Sequence, residues 1–321
     1  MKNDIGRLAA EYLAKFPTES NRSIAAALAL HHPAVGTLEQ FRSAVRHRRG
    51  AAGNEKRKSA TCVREEIPKT RALPPDNLLI SGNRRVLILS DVHVPVHDEM
   101  AMKTAVKYGK DHKADTIFLN GDFVDFARVS DHRPTPDLPE MREERAVAIE
   151  FLTWLRRQFP RADFYYRLGN HEERLEAYAY DRAPAIWEEA LHSFEAYLRL
   201  ESLGVACIKF RRRVDLGSLR TYHGHELPKG ISSPVSPAKR LYDRMKTTAL
   251  CGHFHRTSRY VAPDSEHKLV TCHTVGCLCG LSPLYARVND WNFGFAFMEL
   301  DKSGDFMLDN LAISRSGKVF R

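Results

Sequence analysis

Five short clusters of aspartate, asparagine and histidine punctuate this chain: Asp91-Val92-His93, Gly121-Asp122-Phe123-Val124-Asp125, Gly169-Asn170-His171-Glu172, His223-Gly224 and Gly252-His253-Phe254-His255. Apolar or β-rich segments precede most of them, which places the polar groups just beyond the ends of strands. A fold built from this sequence therefore has several polar strand ends to accommodate. Carboxylate, amide and imidazole donors are also the set that suits borderline divalent cations. Asp91 and His93 stand two residues apart, so on an extended backbone both side chains project to the same side and can share one cation. His253 and His255 repeat the spacing.

The segments between the clusters define the class of fold. Runs rich in β-formers at 86–90, 116–120 and 164–168 alternate with helical patterns near 100–113 and 140–159, as in a layered α/β domain. From Cys207 onward the chain turns strand-rich, with runs at 206–210, 219–223, 248–251, 269–275, 293–300 and 306–313. In the last part Trp291, Phe293, Phe295 and Phe297 alternate and are expected to build one core face. A length of 321 residues, 43% of them hydrophobic, suffices for one core of roughly 200 to 250 residues and a small accessory unit.

Taken in order, the five clusters resemble the calcineurin-like metallophosphoesterase superfamily over residues 85 to 275. The resemblance implies a four-layer α/β/β/α sandwich for residues 76–321, with two mixed sheets flanked by helices. It implies that Asp91, His93 and His255 hold one divalent metal ion and that Asn170, His223 and His253 hold another. Asp122 would bridge the pair, partly neutralising two dications about 3.5 to 4 Å apart. It further implies that His171 serves the leaving group in catalysis and that Asp125 orients His171. Manganese is the metal favoured here, while iron, zinc, cobalt and nickel suit the same donors. Within the superfamily the wording resembles SbcD-type DNA-repair nucleases and small prokaryotic or phage phosphodiesterases. The protein-phosphatase signature is broken, because Phe126 and Ala127 stand where Arg-Gly would follow Asp125.

Other residues carry weaker expectations. His97, on the same loop as His93, and Arg128, six residues past Asp122, are candidate substrate contacts; the alternative is an ordinary polar loop residue and an exposed arginine. His225 completes an unusual His-Gly-His run and is either a supporting residue or an alternative ligand to His223. Cys272, Cys277 and Cys279 with His273 lack the paired C-x-x-C spacing of structural zinc sites and read as reduced, partly buried thiols.

The front of the chain is different. Residues 1–50 read as a small all-helical module: Ile5, Leu8, Tyr12, Leu13 and Phe16 recur at helical spacing up to Pro17, and residues 24–30 form a second apolar helix after capping candidates at 20–22. Thr37-Leu38-Glu39-Gln40 is a capping box for a third helix with Leu38, Phe41 and Val45 inward and Gly50 at its end. Residues 51–75 lack periodicity and are rich in charge, small residues and proline, as expected of a basic linker. The formal charge of the chain is +9, most of it in residues 1–75. On the third helix Arg42, Arg46 and Arg49 share a side, with Arg48 nearby, a pattern resembling a helix-turn-helix module that docks on nucleic acid. A solvated face or a self-association surface reads equally from the same residues.

Six cysteines without framework spacing, no apparent signal peptide and no apolar run long enough for a bilayer point to a cytoplasmic protein without a membrane partner. The function that follows is a two-metal phosphodiesterase or nuclease acting on DNA or other nucleic acid. Two alternatives compete: a phosphatase or phosphodiesterase for a small nucleotide or phosphoprotein, and a non-catalytic DNA-binding regulator.

Overall fold

A computed structural model describes residues 2–50, 77–130, 138–182, 194–209, 212–227, 236–283 and 286–321, and the stretch read as a linker lies outside them. The chain divides into two compact units, Met1–Ala72 and Leu73–Arg321.

The first unit holds three helices, α1 (Lys2–Lys15), α2 (Asn21–His31) and α3 (Leu38–Arg49). Helix α1 stops before Pro17, which supplies no backbone N–H. Ser20 caps α2 by accepting from Ser23 N at 3.0 Å. The capping box of α3 is closed in both directions, with Thr37 N donating to Gln40 Oε1 (2.8 Å) and Gln40 N to Thr37 Oγ1 (3.4 Å). Ile5, Leu8, Ala9, Ile24, Ala25, Leu28, Phe41 and Val45 form the core. Leu38, expected inward, is 51% exposed: it is the first residue of its helix, and burial begins one turn later at Phe41.

The second unit contains two sheets. Its elements are β1 (Leu78–Ile80), β2 (Arg84–Leu89), α4 (Glu99–Asp111), β3 (Thr116–Asn120), α5 (Met141–Gln158), β4 (Asp163–Arg167), α6 (Asn170–Arg182), α7 (Phe194–Tyr197), β5 (Val205–Ile208), β6 (Val214–Leu216), β7 (Leu219–Tyr222), α8 (Pro237–Met245), β8 (Ala249–Cys251), β9 (Ser258–Pro263), β10 (Leu269–Thr274), β11 (Phe293–Leu300), β12 (Phe306–Ile313) and β13 (Val319–Phe320). The larger sheet runs β13-β12-β11-β2-β3-β4-β5 and the smaller β1-β6-β7-β8-β10-β9. Strands β2 to β5 pair in parallel, whereas β11 joins β2 antiparallel.

Burial on both faces explains the unbroken apolar runs. In β2, Val86 and Ile88 enter the core between the sheets with Phe118, Leu216, Leu250 and Met298. The intervening Leu87 and Leu89 face the opposite way, into the core that holds Ala105 of α4 and Leu152 and Leu155 of α5. Phe293, Phe295 and Phe297 lie in that same helix-side core, as their alternation requires. On the far side Leu241 of α8 packs over Ala249, Cys251 and Cys272 of the smaller sheet. The result is a four-layer α/β/β/α sandwich. No helix among the described residues is long and apolar enough to cross a membrane.

Candidate metal centre

The strands preceding the five clusters are neighbours. In the larger sheet β2, β3 and β4 lie side by side in parallel, and in the smaller sheet β7 and β8 do the same. Their carboxyl ends release Asp91, Asp122, Asn170, His223 and His253 respectively, the side of an α/β sheet on which ligands are ordinarily bound. Cross-sheet bonds fix the two edges against each other. Asn120 Nδ2 donates to Tyr222 O (2.9 Å), and the fully buried Arg167 donates to Asn120 Oδ1 (2.7 Å) and Thr221 O (2.8 Å).

All seven expected ligands come together. Asp122 is the common member of two groups whose donor atoms lie within 4.8 Å of one another, one with His93 and His171, the other with His223 and His253. His223 Nε2 is 3.1 Å from Asp122 Oδ2 and 3.2 Å from Asn170 Oδ1. His255 Nε2 is 3.2 Å from Asp91 Oδ1 and 3.1 Å from His93 Nε2. Ligands about 2.1 Å from a metal stand about 3.0 to 3.4 Å from each other in octahedral or tetrahedral geometry, and these separations match the edges of such a shell. Two ring nitrogens aimed at each other at 3.1 Å suit a shared cation better than a bond between rings. The donor set fits divalent metal ions.

The ring nitrogens pointing away are held as metal-binding histidines require. His93 Nδ1 donates to Asp125 Oδ1 (2.9 Å) and His223 Nδ1 to Asn120 O (2.8 Å), while Cys279 Sγ lies 4.0 Å from His255 Nδ1. His171 Nδ1 donates to Asp125 O (2.6 Å), and its Nε2 faces Asp122 Oδ2 at 3.7 Å.

The electrostatics follow from burial. Asp122 is removed from water, yet His171, His223 and His93 around it hold its carboxylate well below the usual range. Burial works to lower His223, and the Asp122 carboxylate beside it instead carries it up to about 10. Burial and the neighbouring His223 take His253 down to about 4. Cation binding at His223 therefore displaces a proton, whereas Asp122 and His253 are already free to bind.

The expectation of an extended backbone at Asp91 and His93 was incorrect. Both have left-handed φ values, 55° and 50°, as do Asp122 (51°), His253 (67°) and His255 (55°). Left-handed turns after β2, β3 and β8, not pleat alternation, aim these side chains, and such costly conformations cluster at functional sites.

The weaker candidates are engaged with other partners. His97 packs edge-on against Phe151 (4.7 Å between ring centroids), lining a cavity with Met102 and Trp154. Arg128 donates to the Pro139 and Leu138 carbonyls, both at 2.7 Å. His225 is near His223 (5.4 Å between rings) but faces Glu173 at 3.3 Å. Among the described residues the cysteines are unpaired thiols, and Cys272 belongs to the core under α8. Trp291 leaves the aromatic alternation and packs against His255, with ring centroids 4.1 Å apart.

Sequence reasoning missed the supports. Glu172, fully buried, accepts from Asp122 N, Phe123 N, Val124 N, Gly169 N and Tyr166 Oη at 2.7 to 3.0 Å, binding the Asp122 turn to the Asn170 turn. Its place beside His171 in the third cluster was the available signal. Arg167 offered one as well, a charged residue ending a β-rich run.

Residues 84–265, more than half of the chain, match the family described as Calcineurin-like phosphoesterase. The chain belongs to this family. Like other calcineurin-like phosphoesterases it is thereby a metal-dependent phosphoesterase, with divalent metal ions as cofactors. The Gene 54 protein of Mycobacterium phage D29 is 26% identical over 237 residues, covering 68% of this chain and 90% of the phage protein. The Gene 54 protein of Mycobacterium phage L5 is 25% identical over 240 residues, with the same coverage. Vacuolar Protein Sorting 29 from Cryptosporidium parvum aligns with a TM-score of 0.38 at 14% identity, over 74% of this chain and 95% of its own.

Proposed function

We propose that the protein is a two-metal phosphodiesterase acting on nucleic acid. Asp122 carries the hydrolytic part of this reading, because it is shared by two donor groups. Asp91, His93 and His255 would hold one cation and Asn170, His223 and His253 a second, with Asp122 shared by both sets; such cations would supply Lewis acidity and lower the pKa of a water, manganese being our choice of metal. The chain's own residues do the rest. His171, anchored through Nδ1, turns Nε2 toward the centre, where its proton goes to the departing oxygen. Asp125 orients both His171 and His93.

The nucleic-acid part rests on the basic front of the chain. Arg42, Arg46 and Arg48 are exposed on α3, suited to phosphate contacts as in a helix-turn-helix module. Arg49 is already engaged: its Nη2 donates to the carbonyls of Pro17 (3.1 Å) and Glu19 (2.6 Å), which makes it a brace within the three-helix unit.

The test is one substrate panel for the manganese-loaded chain: bis-aryl and mono-aryl phosphate, single-stranded and duplex DNA, and RNA. Cleavage of the bis-aryl ester and of nucleic acid is expected, lost in Asp122→Asn. A chain shortened to 73–321 should keep the aryl activity and lose the salt-sensitive affinity for DNA. Phosphate release from nucleotides or phosphopeptides with DNA left intact contradicts the nucleic-acid reading, and an inert panel contradicts hydrolysis.

A further inference from the structure

Helix α5 lies outside all five clusters, yet one of its side chains reaches the peptide that anchors His171. Glu144 is 1% exposed, and its Oε1 accepts from Phe126 N at 2.7 Å, with the Ala127 N–H as a further donor. The carbonyl of that same peptide unit, Asp125 O, accepts from His171 Nδ1 at 2.6 Å. Phe126 is itself held in a left-handed turn, φ 47°, with its ring buried near those of Phe194 and Tyr197. A short line of bonds thus runs from carboxylate to peptide to imidazole.

We propose that Glu144 is a positioning residue for His171, acting through the peptide between Asp125 and Phe126. The inference rests on the hydrolytic reading above, in which His171 serves the leaving group. A carboxylate on the N–H side of a peptide pulls its electrons toward the carbonyl, because hydrogen bonds in a chain polarise one another. The strengthened carbonyl then grips the Nδ1 proton, fixing the ring plane and favouring the imidazolium form whose Nε2 proton goes to the leaving group. Asp125 Oδ1, 3.1 Å from the same Nδ1, supplies a direct charge, whereas Glu144 supplies a second one across the turn. The left-handed turn at Phe126 is the geometric condition, since it presents the two consecutive N–H groups of Phe126 and Ala127 to one carboxylate.

The test, run well above the value of about 7 to which burial and Asp125 push Glu144 so that its carboxyl is ionised, is Glu144→Gln, which keeps an oxygen for Phe126 N while removing the charge. With a series of diesters of one acid part, the variant's loss in kcat should grow with the basicity of the leaving group, from roughly threefold for p-nitrophenolate to roughly thirtyfold or more for an alkoxide, with KM little changed. A second measurement needs neither metal nor turnover: in the metal-free protein, the Phe126 amide proton and the His171 Nδ1 proton should both move upfield in the variant. Equal losses for all leaving groups, or a Phe126 shift with no change at His171, overturns the proposal. If the wild-type chain hydrolyses none of the esters, the hydrolytic reading fails, and the two proton shifts still decide whether the line of bonds exists.

Discussion

Burying a carboxylate costs free energy unless something compensates, and the carboxylates of this centre divide by what compensates them. Asp122 and Asp125 have histidines around them and stay ionised, their pKa values lowered against burial. Glu144 has only backbone N–H groups, and burial together with Asp125 pushes it up to about 7, against a lowering effect of His171. Tyr197 also faces it. The sign follows from proton counts. Between the ordinary glutamate value near 4.5 and about 7 the folded chain holds a proton on Glu144 that the unfolded chain has lost, so this group's contribution to stability falls as pH rises through that window and is level above it. The stability of Glu144→Gln relative to wild type should therefore improve by roughly 1 to 3 kcal/mol between pH 4.5 and 8 in metal-free protein, read from urea unfolding. A difference independent of pH contradicts the assignment. The candidate metal ligands were visible in the sequence because each stands in a compact polar cluster, whereas nothing local separates Glu144 from Glu143 beside it in the same helix. Long-range partners of this kind become visible only once α5 is laid against the Asp125 turn.

At the scale of elements, the centre is made by turns more than by strands. Each of β2, β3 and β8 ends in a turn with left-handed residues, and glycines clear the space where those turns meet. Gly121 takes φ 89°, with the His223 ring directly against its missing side chain. Gly252 is more exacting, since a methyl group there would overlap Ser90 Oγ and stand 2.6 Å from Asp91 Oδ2. Gly252→Ala should displace the Asp91 carboxylate and weaken one metal by about 10- to 100-fold, in titrations with manganese, while the circular dichroism of the fold persists. Unchanged affinity would show that Asp91 is not held where the structure has it. The long buried strands were legible because four consecutive apolar residues in β2 demand burial on both faces. The three-residue β1 and β6 were not, being too short to show a period. The left-handed turns escaped notice because aspartate and histidine, though enriched at positive φ, adopt it in only a small fraction of their occurrences, whereas the Thr37 and Gln40 capping box is legible, its two bonds being local.

On the scale of the whole molecule, the chain divides into two compact units of unequal size. The larger unit contains the complete donor set on two sheets, and the smaller contributes basic charge on a three-helix scaffold with its own core. The sandwich was foreseeable from alternating β-rich and helical patterns together with the order of the clusters. The partner of the basic unit was not, because an arginine-rich helix face reads the same whether it meets phosphate or water. The central claim is that one carboxylate, Asp122, joins two cations. It is tested most directly by counting metal: the chain is loaded with manganese, freed of excess, and analysed for metal per protein beside Asp122→Asn. Two equivalents in the wild type, with both weakened together in the variant, is the predicted result. A single equivalent in the wild type, or two that the substitution leaves untouched, would contradict it.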